Sequence, residues 1–283
     1  MIIEVSRPGP LALVQDLGRP GLAHLGVPGS GAADRSSHDL ANRLVGNLPE
    51  AATAEFVFGG AALRFEGAAW IAVTGAPAPL TVAGRPEPPN TPLHVPAGAR
   101  VELGVPARGL RTYLAVRGGI AVAPVLGSRS ADLLSGLGPA PLRAGDRLPV
   151  GDLRGPFPGA GTAPVRDREP VLGILPGPRA DWFTPDALTL LTARPYRVSQ
   201  DSNRVGVRLS GAVIPRARRG EPASEGMALG SVQIPPDGLP IVFLADHPTT
   251  GGYPVLGVVR SADLAVAAQA RPGQELRFVK CHT

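Results

Sequence analysis

The sequence of 283 residues is poor in several residue types, and each shortage excludes a class of site. Cys281 is the single cysteine, so neither an internal disulfide nor a cysteine-based metal cluster is possible. Lys280 is the only lysine, which rules out a phosphate-binding loop of the GxxxxGKS or GxxxxGKT type. Aromatic residues make up 4% of the chain and offer little surface for stacking nucleic-acid bases. No apolar run approaches the roughly 20 residues of a membrane-spanning helix.

Charge and histidine placement narrow the expected partners further. The net charge is +5, but the basic residues are almost all arginine, a bias that with 37 glycines and 33 prolines is typical of a GC-rich genome. We therefore expect neither nucleic acid nor a membrane as a partner. The first residues lack a basic segment followed by a long apolar one, so we expect a cytoplasmic protein. The histidines do not lie at metal-ligand spacing, and we expect no metal site.

What the sequence does contain is a series of short β-like runs bounded by Gly, Pro, Asp or Asn. This rhythm is typical of barrels and sandwiches and predicts a mainly β fold. The runs cover residues 2–5, 11–14, 70–76, 93–95, 100–105, 111–119, 171–175, 239–245, 254–259 and 275–279.

Three segments predict short helices. Asp34 is the expected N-cap of the first helix, which Gly46 and Asn47 end, with Leu40, Leu44 and Val45 on one face. The second helix is expected to start with Thr184 as N-cap and Pro185 at its first position, and the third to open with Ser261.

The organisation along the chain predicts two domains, over residues 1–153 and 170–283. Residues 154–169 are rich in Gly and Pro without apolar periodicity, which indicates a linker or an ordered surface loop. The spacing of Gln15, Asp16, Arg19 and Gly21 recurs at Gln200, Asp201, Arg204 and Gly206. Chance is one explanation of this repeat, and two similar barrels in tandem are the other.

The segment ADHPTTGGYP, residues 245–254, is the most suggestive for chemistry. It follows an apolar strand and brings hydroxyl side chains and the backbone amides of Gly251 and Gly252 together, a combination that can hold an oxyanion or a carboxylate. His247, next to Asp246, is a candidate proton shuttle. The alternative is that both residues merely stabilise a tight turn.

The stretch GRPGLAHLGVPGSGAADR, residues 18–35, is a second candidate. Ser30 and Asp34 stand at the entrance to the first predicted helix, where free N–H groups attract anions. Asp16 and Arg19 precede it, and either they pair with each other or Arg19 binds a carboxylate. A helix cap with tight turns explains the same residues without a ligand.

Several blocks of the sequence together resemble the carboxyltransferase subdomain family. They include QDLGRPGLAHLGVPGSGAADR from residue 15, LANRLVGN from residue 40, RGGI with PVLGSRSADL between residues 117 and 133, and SEGMALGSVQIPPDGLPIVFLADHPTTGGYPVLG from residue 224. Members of this family include the C subunit of prokaryotic 5-oxoprolinase, an antagonist of a kinase inhibitor, and the corresponding half of the urea carboxylase carboxyltransferase. Two positions depart from the family pattern, Ala33 and Glu55.

The resemblance implies two tandem cyclophilin-like β-barrels and a hetero-oligomeric hydrolase. For the nearest members it implies ATP-dependent opening of 5-oxo-L-proline to L-glutamate together with the A and B subunits of 5-oxoprolinase, of which B is homologous to this chain. The ATP site is then expected on a partner protein or shared with it. One alternative is the carboxyltransferase component of a biotin-dependent, urea-carboxylase-like system, the only case in which biotin is expected. A second alternative is a non-catalytic regulator that binds a kinase inhibitor.

Motif positions shared with the family predict the polar lining of the site. Candidate catalytic residues are His247, Asp246, Arg19 and Arg204. Candidate residues for binding the small amide substrate are Gln15, Asp16, Ser30, Asp34, Ser224, Glu225, Thr249, Thr250, Gly251, Gly252 and Tyr253.

Overall fold

The computed structural model describes residues 1–152, 161–165 and 167–281. The chain divides into two compact units. Unit 1 comprises Met1–Arg19 and Ser30–Asp167, and unit 2 comprises Pro20–Gly29 and Arg168–Thr283. The domain boundaries expected from the sequence stay predictions, and residues 154–160 and 166 of the expected linker lie outside the described residues.

Unit 1 is built from two antiparallel sheets and one helix. Its elements are β1 (Ile2–Arg7), β2 (Leu11–Gln15), α1 (Arg35–Val45), β3 (Thr53–Val57), β4 (Ala61–Phe65), β5 (Ala69–Gly75), β6 (Leu80–Val82), β7 (Arg85–Glu87), β8 (Leu93–Val95), β9 (Arg100–Leu103), β10 (Arg111–Val116) and β11 (Arg147–Pro149). One sheet has the strand order β11-β1-β4-β9-β6-β7, and the other has the order β2-β3-β10-β5-β8.

The core of unit 1 lies between these sheets. Val5, Leu63 and Leu103 from the first sheet join Phe56 and Leu114 from the second in one apolar cluster, and none of the five is more than 1% exposed. Burial at this density is the main stabilising contribution to the unit, at roughly 25 cal/mol per Å² of apolar surface.

Strand β10 is buried on both faces because it serves two layers. Successive side chains of a strand point to opposite sides of the sheet. Leu114 and Val116 therefore enter the core between the sheets, whereas Tyr113 and Ala115 pack in the cluster that holds α1.

Helix α1 has the ends that the sequence predicts. The Asp34 side chain accepts a hydrogen bond from the Ser37 N–H at 3.1 Å, and Gly46 ends the helix in the left-handed region at φ 70°. Leu40 and Leu44 are only partly buried. The buried face instead comprises Ser37, His38, Ala41, Asn42 and Val45.

Unit 2 contains a closed barrel. Its elements are β12 (Val171–Pro176), α2 (Ala187–Ala193), β13 (Tyr196–Val198), β14 (Gly206–Ser210), β15 (Glu225–Gly226), β16 (Ser231–Gln233), β17 (Ile241–Phe243), β18 (Thr250–Gly251), β19 (Val255–Val259), α3 (Leu264–Gln269) and β20 (Glu275–Lys280). The barrel order is β12-β19-β16-β17-β14-β13-β20, and β20 closes it by pairing in parallel with β12. Strands β15 and β18 form a separate two-stranded ladder.

The mainly β fold with a few short helices is thus confirmed. The prediction that Thr184 caps the second helix is wrong, because α2 begins at Ala187 with Asp186 at the N-cap. The Thr184 carbonyl accepts from the Ala187 N–H at 3.0 Å, which makes a turn before the helix. Ser261 opens a 3₁₀ turn, Ser261–Asp263, that leads into α3. None of the helices in the described residues is long and apolar enough to cross a membrane.

Candidate functional site

Asp16, at the end of β2, organises the loop that contains Ser128, Arg129 and Ser130. Its carboxylate accepts hydrogen bonds from the hydroxyls of Ser128 and Ser130, each at 2.6 Å, and from the Arg129 N–H at 2.6 Å. A fourth bond comes from the Gly18 N–H at 2.8 Å. Asp16 is only 5% exposed and its carboxylate accepts four hydrogen bonds, so its role in the structure is to hold this loop.

Arg19 and Gln15 bind the backbone of the same loop. The Arg19 Nη2 donates to the Ser130 carbonyl, and the Gln15 Nε2 donates to the Ala131 carbonyl at 2.8 Å. The Ser30 hydroxyl reaches the same Ala131 carbonyl at 3.2 Å. The Nη1 of Arg19 and the Oε1 of Gln15 are buried and have no hydrogen-bond partner among the described residues. One donor and one acceptor therefore remain available at this point.

Buried side chains fix the backbone at the entrance to α1. Tyr113 accepts a hydrogen bond from the Asp34 N–H at 2.7 Å and donates its own hydroxyl to the Glu55 carboxylate at 2.7 Å. The same Glu55 oxygen accepts from the Ala33 N–H at 3.1 Å. Gly31, at φ 99°, fits here because a Cβ would lie 2.9 Å from the backbone nitrogen of Gly18.

The charge of Glu55 is balanced inside unit 1. Glu55 is fully buried, and its second oxygen lies 3.6 Å from the Arg111 Nε. Burial raises the pKa of Tyr113 well above its usual value, and the nearby carboxylates of Glu55 and Asp34 raise it further. The Tyr113 hydroxyl therefore stays protonated and keeps donating to Glu55.

In unit 2, Arg204 and Asp246 form a buried ion pair. The Arg204 Nε and Nη2 donate to the two oxygens of the Asp246 carboxylate at 2.8 and 2.9 Å. The exposed fractions of the two side chains are 2% and 0%. The guanidinium and the carboxylate bind each other through two hydrogen bonds, and this contact holds the turn after β17 in place.

His247 is the partly exposed residue of that turn. Its Nδ1 lies 2.8 Å from the Pro248 carbonyl oxygen, and a carbonyl only accepts, so Nδ1 is the donor. In the neutral ring the lone pair then resides on Nε2. The described residues offer no partner to Nε2, which leaves it free to accept a hydrogen bond.

Glu225 and Arg179 lie beside the next part of this loop. Strand β15 pairs with β18, which places Glu225 opposite Gly251 and Gly226 opposite Thr250. One Glu225 oxygen accepts from Arg179 at 2.8 Å to Nε and 2.6 Å to Nη2. This contact raises the pKa of the Arg179 guanidinium. The other Glu225 oxygen, Oε1, is buried and has no hydrogen-bond partner among the described residues.

Several hydroxyl groups lie on the same ladder and loop as Glu225. The side-chain hydroxyls of Ser224, Thr249 and Thr250 have no hydrogen-bond partner in the part of the chain that is described, and all three residues are at least partly exposed. The ring of Tyr253 is 39% exposed and lies under the Arg216 guanidinium, 5.8 Å from its carbon to the ring centroid. The loop thus presents donors and acceptors to solvent.

The sequence-predicted residues therefore fall into two groups. Gln15, Asp16, Arg19, Ser30 and Asp34 lie together in unit 1, where Ala32 also donates to the Asp16 carbonyl at 2.9 Å. The other ten lie in unit 2, around the turn after β17 and the ladder of β15 and β18. Their individual roles stay predictions. The sequence reasoning missed Tyr113 and Arg179, which carry no local signal, whereas a glutamate inside the apolar run TAEFV was a signal for Glu55.

Comparison with known families decides the assignment. Residues 25–280 match the model of the carboxyltransferase domain, subdomains A and B. The chain belongs to this carboxyltransferase family. The resemblance noted from the sequence blocks is therefore confirmed.

Named relatives of this carboxyltransferase-family chain fall into two kinds. The 5-oxoprolinase C subunit of Escherichia coli (strain K12) is 37% identical over 294 residues, 99% of this chain and 91% of that protein. The protein of the same name from Haemophilus influenzae is 33% identical over 94% of this chain and 87% of its own length. The urea amidolyase of Lachancea kluyveri is 33% identical over 98% of this chain, which spans 17% of that enzyme.

Solved structures of the family have the same fold. The crystal structure of TTHA0988 is 39% identical and superposes with a TM-score of 0.90, covering 98% of this chain and 56% of that one. The urea amidolyase of K. lactis superposes with a TM-score of 0.93 at 31% identity, covering 99% of this chain and 19% of that one. The chain thus spans little more than half of TTHA0988 and about a fifth of the amidolyase.

Proposed function

We propose that this carboxyltransferase-family chain is the C subunit of a three-subunit, ATP-dependent 5-oxoprolinase that opens 5-oxo-L-proline to L-glutamate. The observation that carries the proposal is the 37% identity to a 5-oxoprolinase C subunit over 99% of this chain and 91% of that protein. Because the alignment covers nearly all of both chains, it favours the same role for this chain, that of a C subunit with the A and B subunits of the enzyme as partners.

The loop 247–253 supplies groups that suit a lactam. Opening the ring adds water across the C–N bond, so that oxygen joins the carbonyl carbon and the nitrogen leaves as an amine after it gains a proton. In the proposal, the phosphoryl group of ATP would pass to the lactam oxygen in the complete complex, leaving ADP. His247 Nε2 takes a proton from the attacking water and returns one to the nitrogen as the C–N bond breaks, and a second water then releases phosphate and L-glutamate from the acyl phosphate. The Thr249 and Thr250 hydroxyls donate to the developing oxyanion, and Glu225, whose Oε1 is buried, holds the adjoining ladder through Arg179.

The buried groups in both units act as positioning residues in this scheme. Arg204 and Asp246 hold the turn that carries His247 and do not touch the substrate. Within unit 1, Arg19 holds the loop of Ser128 to Ser130, and its buried Nη1 has no hydrogen-bond partner among the described residues. Fixing catalytic groups in advance removes an entropic cost from the reaction step.

The described residues around the loop do not fit a triphosphate by themselves. Arg179 is paired with Glu225, and Arg216 with Glu221 at 3.2 Å and with the Ile234 carbonyl. These contacts engage the guanidinium groups that phosphate oxygens would need. In the proposal the nucleotide binds on one of the two partner proteins, or between one of them and this chain.

Reconstitution tests the proposal directly. The chain is co-expressed with the A and B subunits of the enzyme, and ADP and L-glutamate are measured with and without 5-oxo-L-proline. We expect both products from the complete complex with 5-oxo-L-proline and no L-glutamate from this chain alone. A complete complex without substrate-stimulated ATP hydrolysis would contradict the proposal and favour the non-catalytic regulator.

A second candidate is a carboxyltransferase component acting on a small amide such as urea. The urea amidolyase relative at 33% identity over 98% of this chain, and the TM-score of 0.93 with another urea amidolyase, favour it. This chain would then need carboxybiotin from a carrier protein. Added avidin blocks such an activity and leaves 5-oxo-L-proline cleavage unchanged.

A further inference from the structure

Unit 1 contains a cavity that the proposed function does not use. Its volume is about 370 Å³, within the range of about 300–1,000 Å³ that is usual for small-molecule sites. Three stretches line it together with Arg129: the segment that follows α1, between Gly46 and Ala52, the turn from Gly118 to Ala121, and Gly151 with Asp152. Two of these belong to the blocks LANRLVGN and RGGI, by which the sequence resembles its family.

Arg129 provides the positive charge of this cavity. Its backbone N–H is held by Asp16 at 2.6 Å, and its Nε donates to the Val122 carbonyl at 2.8 Å. The guanidinium is thereby fixed at its base, while its two terminal nitrogens have no partner among the described residues. A fork of free N–H groups in a fixed orientation suits a carboxylate.

The same cavity carries negative charge at other points of its wall. Glu50 and Asp152 both line it, and neither forms an ion pair or a side-chain hydrogen bond in the part of the chain that is described. The C-terminal end of α1, at Gly46 and Asn47, adds the negative end of the helix dipole. An ammonium group would be stabilised on this side.

Arg129, Glu50 and Asp152 thus share one cavity without pairing with each other. Because the positive and negative side chains line one cavity and do not neutralise each other, a ligand that carries one negative and one positive group can pair with both. We propose that this cavity binds the zwitterion of a small α-amino acid, with its carboxylate on Arg129 and its ammonium group facing Glu50, Asp152 and the end of α1. The inference does not depend on the activity of the complex.

Calorimetric titration of the full chain tests the site. The probes are L-glutamate and L-alanine, and the comparison ligands are glutarate, which lacks the ammonium group, and 5-oxo-L-proline, whose nitrogen is uncharged. We expect saturable binding of at least one amino acid. Affinity should fall by about tenfold in Arg129→Gln and in the double variant Glu50→Gln with Asp152→Asn, since each removes a charged hydrogen-bond partner.

Controls separate the site from the fold and from the proposed active site. Arg85→Gln removes an exposed arginine from β7 and should leave the affinity unchanged, as should His247→Ala. Glu50 and Asp152 are exposed, so their amide variants fold even if Arg129→Gln does not. The inference is overturned if neither amino acid binds at millimolar concentration, if glutarate binds as tightly, or if the double variant binds unchanged.

Discussion

Each oxygen of the Asp246 carboxylate faces a different nitrogen of the Arg204 guanidinium, at 2.8 and 2.9 Å. The backbones of the two residues are joined as well, because the Asp246 N–H donates to the Arg204 carbonyl at 3.0 Å. The pair therefore fixes the turn of His247 against the residues that lead into β14. Because the Arg204–Asp246 pair is buried, removing one partner should lower the free energy of unfolding by a measurable amount.

Asp246→Asn should lower the free energy of unfolding of unit 2 by about 3 kcal/mol. The variant leaves the Arg204 guanidinium buried without its counter-charge, which costs about 3–5 kcal/mol in comparable pairs. Urea unfolding followed by Trp182 fluorescence in a Trp70→Phe background reports on unit 2, because each unit holds one tryptophan.

Glu275→Gln is the matched control for Asp246→Asn. Glu275 pairs with Arg197 at 3.5 Å, with exposed fractions of 63% for Arg197 and 56% for Glu275. Such exposed pairs contribute about 0–1 kcal/mol. Equal decreases in the free energy of unfolding in the two variants would show that the buried pair contributes no more to stability than the exposed pair.

Asp16→Asn should loosen the loop of Ser128 to Ser130 within unit 1. The carboxylate accepts four hydrogen bonds, and those to charged groups are each worth about 1.5–3 kcal/mol. We expect faster amide hydrogen exchange at Arg129 and a stability loss of about 2 kcal/mol or more. In the control Asp146→Asn, which removes an acceptor for the Arg143 N–H at 2.7 Å in an exposed turn, exchange at Arg129 should be unchanged.

Tyr196→Phe should make unit 2 less sensitive to alkali. The Tyr196 hydroxyl is buried with no hydrogen-bond partner among the described residues, and desolvation raises its pKa from 10.0 to about 12. Since the folded-state pKa lies above the unfolded value, the unfolded state loses its proton first, and stability falls as the pH rises from 10 towards 12. The variant lacks this loss.

Unfolding measured below and above about pH 10 checks the Tyr196 prediction. Phe278, which packs edge-on to the Tyr196 ring at 6.0 Å, keeps its contact in the variant. At neutral pH we expect the variant to be as stable as the wild type or more stable by roughly 1 kcal/mol. A clear destabilisation at neutral pH would mean that the hydroxyl contributes a bond.

His247→Ala should reduce L-glutamate formation by the reconstituted complex by at least about a hundredfold, the usual range for a general acid–base group. The ring is partly exposed and its centroid lies 6.2 Å from that of Phe243, so the urea unfolding curve should shift only slightly. His94→Ala removes an exposed histidine of β8 and serves as the control. Turnover near the wild-type rate would remove His247 from the mechanism.

Strands that appear in the sequence as short apolar runs bounded by turn residues were predictable. The ten β-like runs all overlap strands of the structure, from β1 to β20. Half of the twenty strands in the described residues were not predicted, among them β3 and β4, although each of these two has a neighbour on both sides in its sheet. Strand β3 contains Glu55, whose charge is balanced by Arg111 and by the Tyr113 hydroxyl. The apolar run around Glu55 is visible in the sequence, but the partners that allow its burial are brought to it only by the tertiary structure.

Helix ends were predictable where the cap is local. Asp34 caps α1 through a bond to Ser37, three residues away, and this spacing is visible in the sequence. Thr184 has the same kind of side chain, but the chain turns there and starts its helix at Ala187. A side chain competent to cap does not by itself decide where the helix begins.

For the candidate site, the sequence indicated the loops but not the burial of their members. Arg204, Asp246 and Asp16 have the chemistry of catalytic residues, yet Arg204 and Asp246 lie 42 positions apart, and the Ser128, Arg129 and Ser130 partners of Asp16 lie 112 to 114 positions away in the chain. Those partners consume the hydrogen-bonding capacity that the sequence leaves open. The assignment of Glu225 to the substrate site stays a prediction, and its contact with Arg179 depends on the ladder of β15 and β18, which the sequence does not show.

The parallel pairing of β12 with β20 has a consequence for how unit 2 is made. Val171 lies opposite Arg277, so the seam of the barrel joins residues more than a hundred positions apart. During synthesis, the edge of β12 waits without its neighbour until residues 275–280 leave the ribosome. Barrel closure therefore depends on a pairing of large sequence separation, the kind that slows folding, and until it forms this edge of β12 has unpaired N–H and C=O groups of the kind that pair with other chains.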